Sequence, residues 1–301
     1  MKTAFKLLLS SVAMALAAPA VAALNVFACE PEWAALAQEL GGDKVAVFSA
    51  TSAQQDPHRI EARPSLISRM RNADLLICSG SELEVGWLPL LFTQGGNDRV
   101  QPGSSGYIEA SQYVVKLEVP RVIDRSLGDI HPGGNPHVHL DPRNIAKVGQ
   151  VITARLEQID ARNADTYRAR AENFNKRWDA AVEKWRQQAQ PLKGMAIVVY
   201  HKDMSYFINW AGLREAGSLE PKPGIPPTPT HLAELVEQMK RTPAKAVVYS
   251  PYNNPGAAQF LSQRTSIPVV PLPFTVGGTP KAKDLFGLFD DTIERLLAAA
   301  K

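Results

Sequence analysis

The sequence predicts an α/β protein of two lobes, each a parallel sheet flanked by helices, joined by a long spine helix with the ligand site in the inter-lobe cleft. Three observations carry the architecture. Apolar runs alternate with amphipathic helical segments from the start, the same alternation returns near the end, and a long stretch of purely helical spacing lies between. Alternation of this kind implies parallel strands covered by helices. Ligands of such sheets bind beyond the carboxyl ends of the strands, which with two lobes means the cleft.

Residues 1–22 read as a secretory signal peptide. Lys2 and Lys6 make a basic start, Leu7 to Ala18 form an apolar stretch too short to span a bilayer, and Ala20-Val21-Ala22 is a small-x-small cleavage signal. The expected product is periplasmic. The first lobe is expected over 23–141. Strand LNVFAC leads to helix PEWAALAQELGG with its glycine stop, then come strand VAVFSA, helix PSLISRMRNA and strand ADLLICSG. The spine is expected over 142–190. Ile145, Val148, Ile152, Leu156 and Ile159 follow steps of three and four, and so do Tyr167, Ala171, Phe174, Trp178, Val182 and Trp185. The phase breaks around Asp160 to Asp165, giving two helices. The second lobe, 191–301, runs through strand AIVVYH, the stiff loop PKPGIPPTPT, helix HLAELVEQMKRT, strand AKAVVYS, helix AAQFLSQRT, strand IPVVPL and the closing helix LFGLFDDTIERLLAAA. Thr230 is the expected cap of the helix beginning at His231.

The chain carries 33 basic and 30 acidic residues without a basic run, which gives no reason to expect nucleic-acid binding. Beyond the leader no apolar run is long enough to cross a membrane. The two cysteines, Cys29 and Cys78, each close an apolar strand-like run. An even count in an oxidising compartment favours a disulfide, and two buried free thiols are the alternative.

Of the six histidines, His58 follows strand VAVFSA, His201 ends strand AIVVYH, and His137 precedes the helix near Asp141. All three therefore fall on the strand-end side, where a cleft site lies. Neutral imidazoles are good ligands for zinc, and three from two lobes leave a fourth position for another residue or water. Asp141, before Pro142, reads as a helix N-cap, and His231 at a helix start reads as structural. Glu82 and Glu84 stay open between the site and the surface.

Four segments then resemble one family in order. DPHRIEARP, NPHVHLDP, HKDMSYFINWAGL and SGSELEVGW are similar to the motifs of the zinc/manganese solute-binding proteins of ABC importers, cluster A-I. The resemblance spans nearly the whole exported chain. It implies His58, His137 and His201 as metal ligands, a divalent cation as transported ligand, a membrane permease as partner, and binding without catalysis. Zn2+ is expected ahead of Mn2+, which prefers harder oxygen ligands, and a monomer is expected. The chain departs from the pattern in two places. The family's last strand usually ends in an aspartate ligand, whereas here Pro273 stands in VVPLPFTVGG with no acid between Arg264 and Asp284. The histidine-rich loop of some zinc members is also missing. The fourth ligand is therefore open among His139, which takes the usual tryptophan position, Glu61, His131 and water. The rival reading is a zinc hydrolase using three histidines and water, for which the sequence offers only Glu61 as a general base.

Overall fold

The computed structural model describes residues 23–301, so the expected signal peptide, 1–22, lies outside the described residues. The chain opens with β1 (Leu24–Ala28), α1 (Pro31–Gly41), β2 (Val45–Ser49), α2 (Pro64–Arg71), β3 (Leu75–Cys78), α3 (Leu88–Gly95) and β4 (Tyr107–Glu109). These strands pair in parallel in the order β2-β1-β3-β4. Helices α4 (Pro142–Ile159) and α5 (Ala164–Gln188) follow. The second half is β5 (Ala196–Val199), α6 (Ser205–Ala211), β6 (Arg214–Ser218), α7 (Pro229–Arg241), β7 (Ala246–Tyr249), α8 (Gly256–Thr265), β8 (Val269–Pro271) and α9 (Leu285–Ala300). Its sheet, β6-β5-β7-β8, is also parallel and repeats the order of the first. In both sheets the chain leaves the first strand for one side and returns on the other, so each has its switch point beside that strand.

The element ends follow from local chemistry. Pro31 and Pro142 stand at first helical positions, where the missing N–H costs nothing. Asp141 caps α4, its carboxylate accepting the Arg143 N–H at 2.9 Å. Helix α7 begins two residues earlier than the sequence suggests. Pro229 takes its first turn and Thr228, not Thr230, accepts the His231 N–H at 3.3 Å. The edge strands β4 and β6 and the short helices α3 and α6 carry no periodic signal long enough to read beforehand.

Helix α5 joins the halves. Tyr167, Phe174, Trp178 and Trp185 form its buried stripe. Trp178 meets Phe286 of α9 with ring centroids 4.9 Å apart, and Trp185 meets Phe289 at the same distance. On the other side Arg170 donates to the Glu39 carbonyl of α1 at 2.7 Å. One apolar core therefore runs from Val26 and Ile77 through Ile152 and Trp178 to Ile197, Val248 and Leu288. Two smaller clusters cover the outer faces, under α2 and α3 in one half and α7 and α8 in the other. Among the described residues no helix is long and apolar enough to cross a membrane.

Cys29, just beyond β1, and Cys78, ending β3, form a disulfide with a Cα separation of 4.8 Å. The strands are neighbours, with the Cys29 N–H donating to the Ile77 carbonyl at 2.8 Å, which brings their ends together. Closing a loop of roughly 50 residues removes about 4 kcal/mol of unfolded-chain entropy. Replacing both cysteines by alanine is expected to lower stability by about 2–4 kcal/mol in urea unfolding.

Candidate metal centre

His58 lies in the loop after β2, His137 in the connection before α4, and His201 two residues past β5. The structure brings these three together: one nitrogen of each lies within 4.8 Å of the other two. Their ring centroids are 5.4, 5.5 and 5.7 Å apart.

Each ring is aimed by a polar neighbour. Asp56 Oδ1 accepts the His58 backbone N–H at 3.0 Å and sits 2.7 Å from its Nδ1. Glu220, just past β6, sits 2.7 Å from His201 Nδ1 and also accepts the Gly224 N–H at 2.9 Å. A carboxylate only accepts, so both Nδ1 atoms carry hydrogen and the Nε2 lone pairs face the cluster. This is the second contact that metal-binding histidines usually make. Asn135 fixes His137 by accepting its backbone N–H at 3.0 Å, and the Asn135 amide donates to Glu118 at 2.8 Å and to the Lys202 carbonyl at 2.7 Å. Sequence reasoning gave neither Asp56 nor Asn135 a role, although each stands two residues before its histidine in an Asp-Pro or Asn-Pro pair that could have marked it. Glu220, nineteen residues from His201, left no local signal.

His137 is 1% exposed, and neither ring nitrogen has a hydrogen-bond partner among the described residues. Burial, reinforced by His58 and His201, holds its pKa well below the ordinary histidine value. Burial alone would also depress His201, but the Glu220 hydrogen bond and the charges of Asp203, Glu220 and Asp56 outweigh it and raise its pKa. The Asp56 carboxyl is held below its usual range: its contacts with His58 overcome the opposing effect of burial.

The other sequence candidates lie elsewhere. His139 is fully buried, but it is not brought to the three: its Nε2 is 2.9 Å from the Phe274 carbonyl and its Nδ1 is 3.0 Å from a Glu32 carboxylate oxygen. Residues 138–140 form a 3-10 turn, not an extended segment, so His137 and His139 point in different directions. Thr275 hydrogen-bonds the other Glu32 oxygen, so Glu32 and His139 clamp α1 to the loop after β8. Glu61 is exposed. His131 is half-buried beside His58, with ring centroids 5.4 Å apart. His231 bonds the Ser218 carbonyl at 2.8 Å and is away from the cluster. Glu82 is exposed, whereas Glu84 is buried beside the disulfide, where burial pushes its pKa up to about 7. One residue past Pro273, Phe274 packs its ring 5.3 Å from that of His137.

The family model for the periplasmic component A of the zinc-uptake complex, ZnuA, matches residues 26–299, and the chain belongs to that family. Its members are substrate-binding proteins of metal-importing ABC transporters and not enzymes. Relatives include the metal ABC transporter substrate-binding lipoprotein ScbA of Streptococcus cristatus, 23% identical over 266 residues, covering 87% of this chain and 83% of that protein. The high-affinity zinc uptake system protein ZnuA of Yersinia pestis is 24% identical over 233 residues, 70% of each chain. The manganese ABC transporter substrate-binding lipoprotein scaA of Streptococcus gordonii is 24% identical over 266 residues, 87% of this chain and 83% of that one. A crystal structure of ZnuA superimposes with a TM-score of 0.79 at 20% identity, covering 93% of this chain and 100% of that one, and so shares the fold.

His139→Ala is expected to destabilise the protein by about 3 kcal/mol, because it leaves the buried Glu32 carboxylate with Thr275 alone and one oxygen without a contact. Zinc affinity measured against a chromophoric chelator should change by less than about tenfold.

Proposed function

We propose that this chain is a periplasmic, monomeric zinc-binding protein, exported by a signal peptide over 1–22, that hands its ion to an ABC-type permease. His58, His137 and His201 hold the ion. The division into a first lobe over 23–141, a spine over 142–190 and a second lobe over 191–301 is part of this reading. The observation that carries it is the set of three imidazoles, two buried and His58 partly so, whose ligating nitrogens lie within 4.8 Å of one another, two of them backed by carboxylates. Tetrahedral zinc at 2.0–2.1 Å puts its ligand nitrogens about 3.4 Å apart, so the rings contract by no more than about 1.4 Å to grip it.

Zinc is favoured over manganese because the three donors are nitrogens, although relatives are named for either metal. The hydrolase reading lacks support: Glu61 is exposed, and family members are not enzymes.

Single alanine replacements of His58, His137 and His201 test the assignment. If about 12 kcal/mol of zinc binding is spread over four bonds, each loss costs roughly 3 kcal/mol, about a hundredfold in Kd. A variant that binds zinc like the parent removes that histidine from the ligand set. Affinity should also depend on pH. His201 keeps its proton to a higher pH than ordinary histidine, and zinc must displace that proton. Affinity is therefore level above the His201 pKa and falls below it by about tenfold per pH unit for one proton. His137, with its lowered pKa, adds no competition near neutrality. Chelator competition between about pH 5.5 and 8.5 measures the slope, and a flat profile would contradict it.

A further inference from the structure

The proposed triad leaves one position of a tetrahedral ion unfilled, and three nearby residues do not supply it. Phe274 covers His137, both His139 nitrogens face other groups, and Glu61 is exposed. The segment Gly128–Gly134 borders the cluster, with Asp129, Ile130 and His131 lining the cavity beside His137 and His201. There His131 Nδ1 is 3.0 Å from the Ser81 carbonyl. A carbonyl only accepts, so Nδ1 carries the hydrogen and Nε2 holds a lone pair. That Nε2 is buried without a partner among the described residues, as is His58 Nε2. Donor atoms of His58, Asp129 and His131 lie within 4.8 Å of one another, so His58 belongs to both this group and the triad. His131 also lines the same cavity as His137 and His201.

The segment is anchored on both halves. The Asp129 N–H donates to the Pro223 carbonyl at 2.7 Å, and the Ser81 hydroxyl donates to the Gly133 carbonyl at 3.4 Å. Its ends are glycines with φ of 96° and 92°, conformations that a side chain resists. At Gly134 a Cβ would also come within 2.9 Å of the Leu117 carbonyl oxygen. The backbone thus turns sharply at two points and presents one histidine between them.

We propose that His131 is the fourth ligand, which makes the centre all-imidazole and sets its preference for zinc over manganese. This rests on the reading of His58, His137 and His201 as ligands. Four nitrogens suit zinc and offer manganese none of the oxygen donors it prefers. The competing donor is the exposed carboxylate of Asp129, and bound water is the other alternative.

Zinc competition on full-length exported protein, with His131→Ala, Asp129→Ala and His58→Ala side by side, decides the matter. The expected result is a loss of about a hundredfold for His131→Ala and less than about threefold for Asp129→Ala. The visible d–d spectrum of bound Co2+ should change only in the former. His131→Asp keeps four donors, and it should bind zinc while shifting the zinc-to-manganese preference by at least about tenfold toward manganese; it decides the question if His131→Ala fails to fold. Unchanged zinc affinity and Co2+ spectrum in His131→Ala would overturn the proposal in favour of water, and a large loss confined to Asp129→Ala would overturn it in favour of the carboxylate. If His58→Ala also binds normally, the triad reading itself fails, a result distinct from either.

Discussion

The aromatic stripe of α5 is the contact on which the rest of the molecule depends. A parallel sheet must be covered on both faces, and here the inner faces of two sheets share one cover. Trp178 and Trp185 interlock with α9 while Arg170 grips α1. With the sheets fixed in this way, the loop after β2 and the end of β5 meet across the cleft, and the segment before α4 lies between them. No single half contains the proposed site. His58 comes from one sheet, His201 from the other, and His137 from the connection.

The chemistry at that meeting point separates two tasks. Burial keeps imidazoles such as His137 neutral, so a lone pair is available to a cation. The carboxylates stand behind the rings, where Asp56 and Glu220 fix which nitrogen bears hydrogen and add negative charge close to an incoming ion. Such charge strengthens the hold on a cation without occupying a coordination position. The His139–Glu32 contact uses the same pair of residue types for a different end: buried completely and turned away from the cluster, it ties α1 to the loop after β8.

Much of this was legible in the sequence. The paired β-α alternations gave the strands and helices of both sheets, because buried parallel strands are continuous apolar runs and their covering helices are amphipathic. The three histidines could be placed at strand ends by the same logic. What failed did so for definite reasons. Strands β4 and β6 are short edges whose residues do not alternate cleanly, and Glu220 reaches His201 only through the pairing of β5 with β6. His139 was one of four open candidates for the fourth ligand, and residues two apart share a side only in an extended chain. A 3-10 turn has three residues per turn, and two steps along it reach a different face. His131 was only one of several options, because its closeness to His58 depends on a loop held from both halves.

Asn135 carries one further consequence, for chemical ageing. Its side chain ties the His137 segment to Glu118 and Lys202, so conversion to aspartate would replace two donated hydrogen bonds with repulsion from those acceptors. The common route to that damage begins when the next residue's backbone nitrogen attacks the side-chain amide. The next residue is Pro136, which has no N–H to spend. The joint is therefore kept intact by the neighbour that shapes its turn.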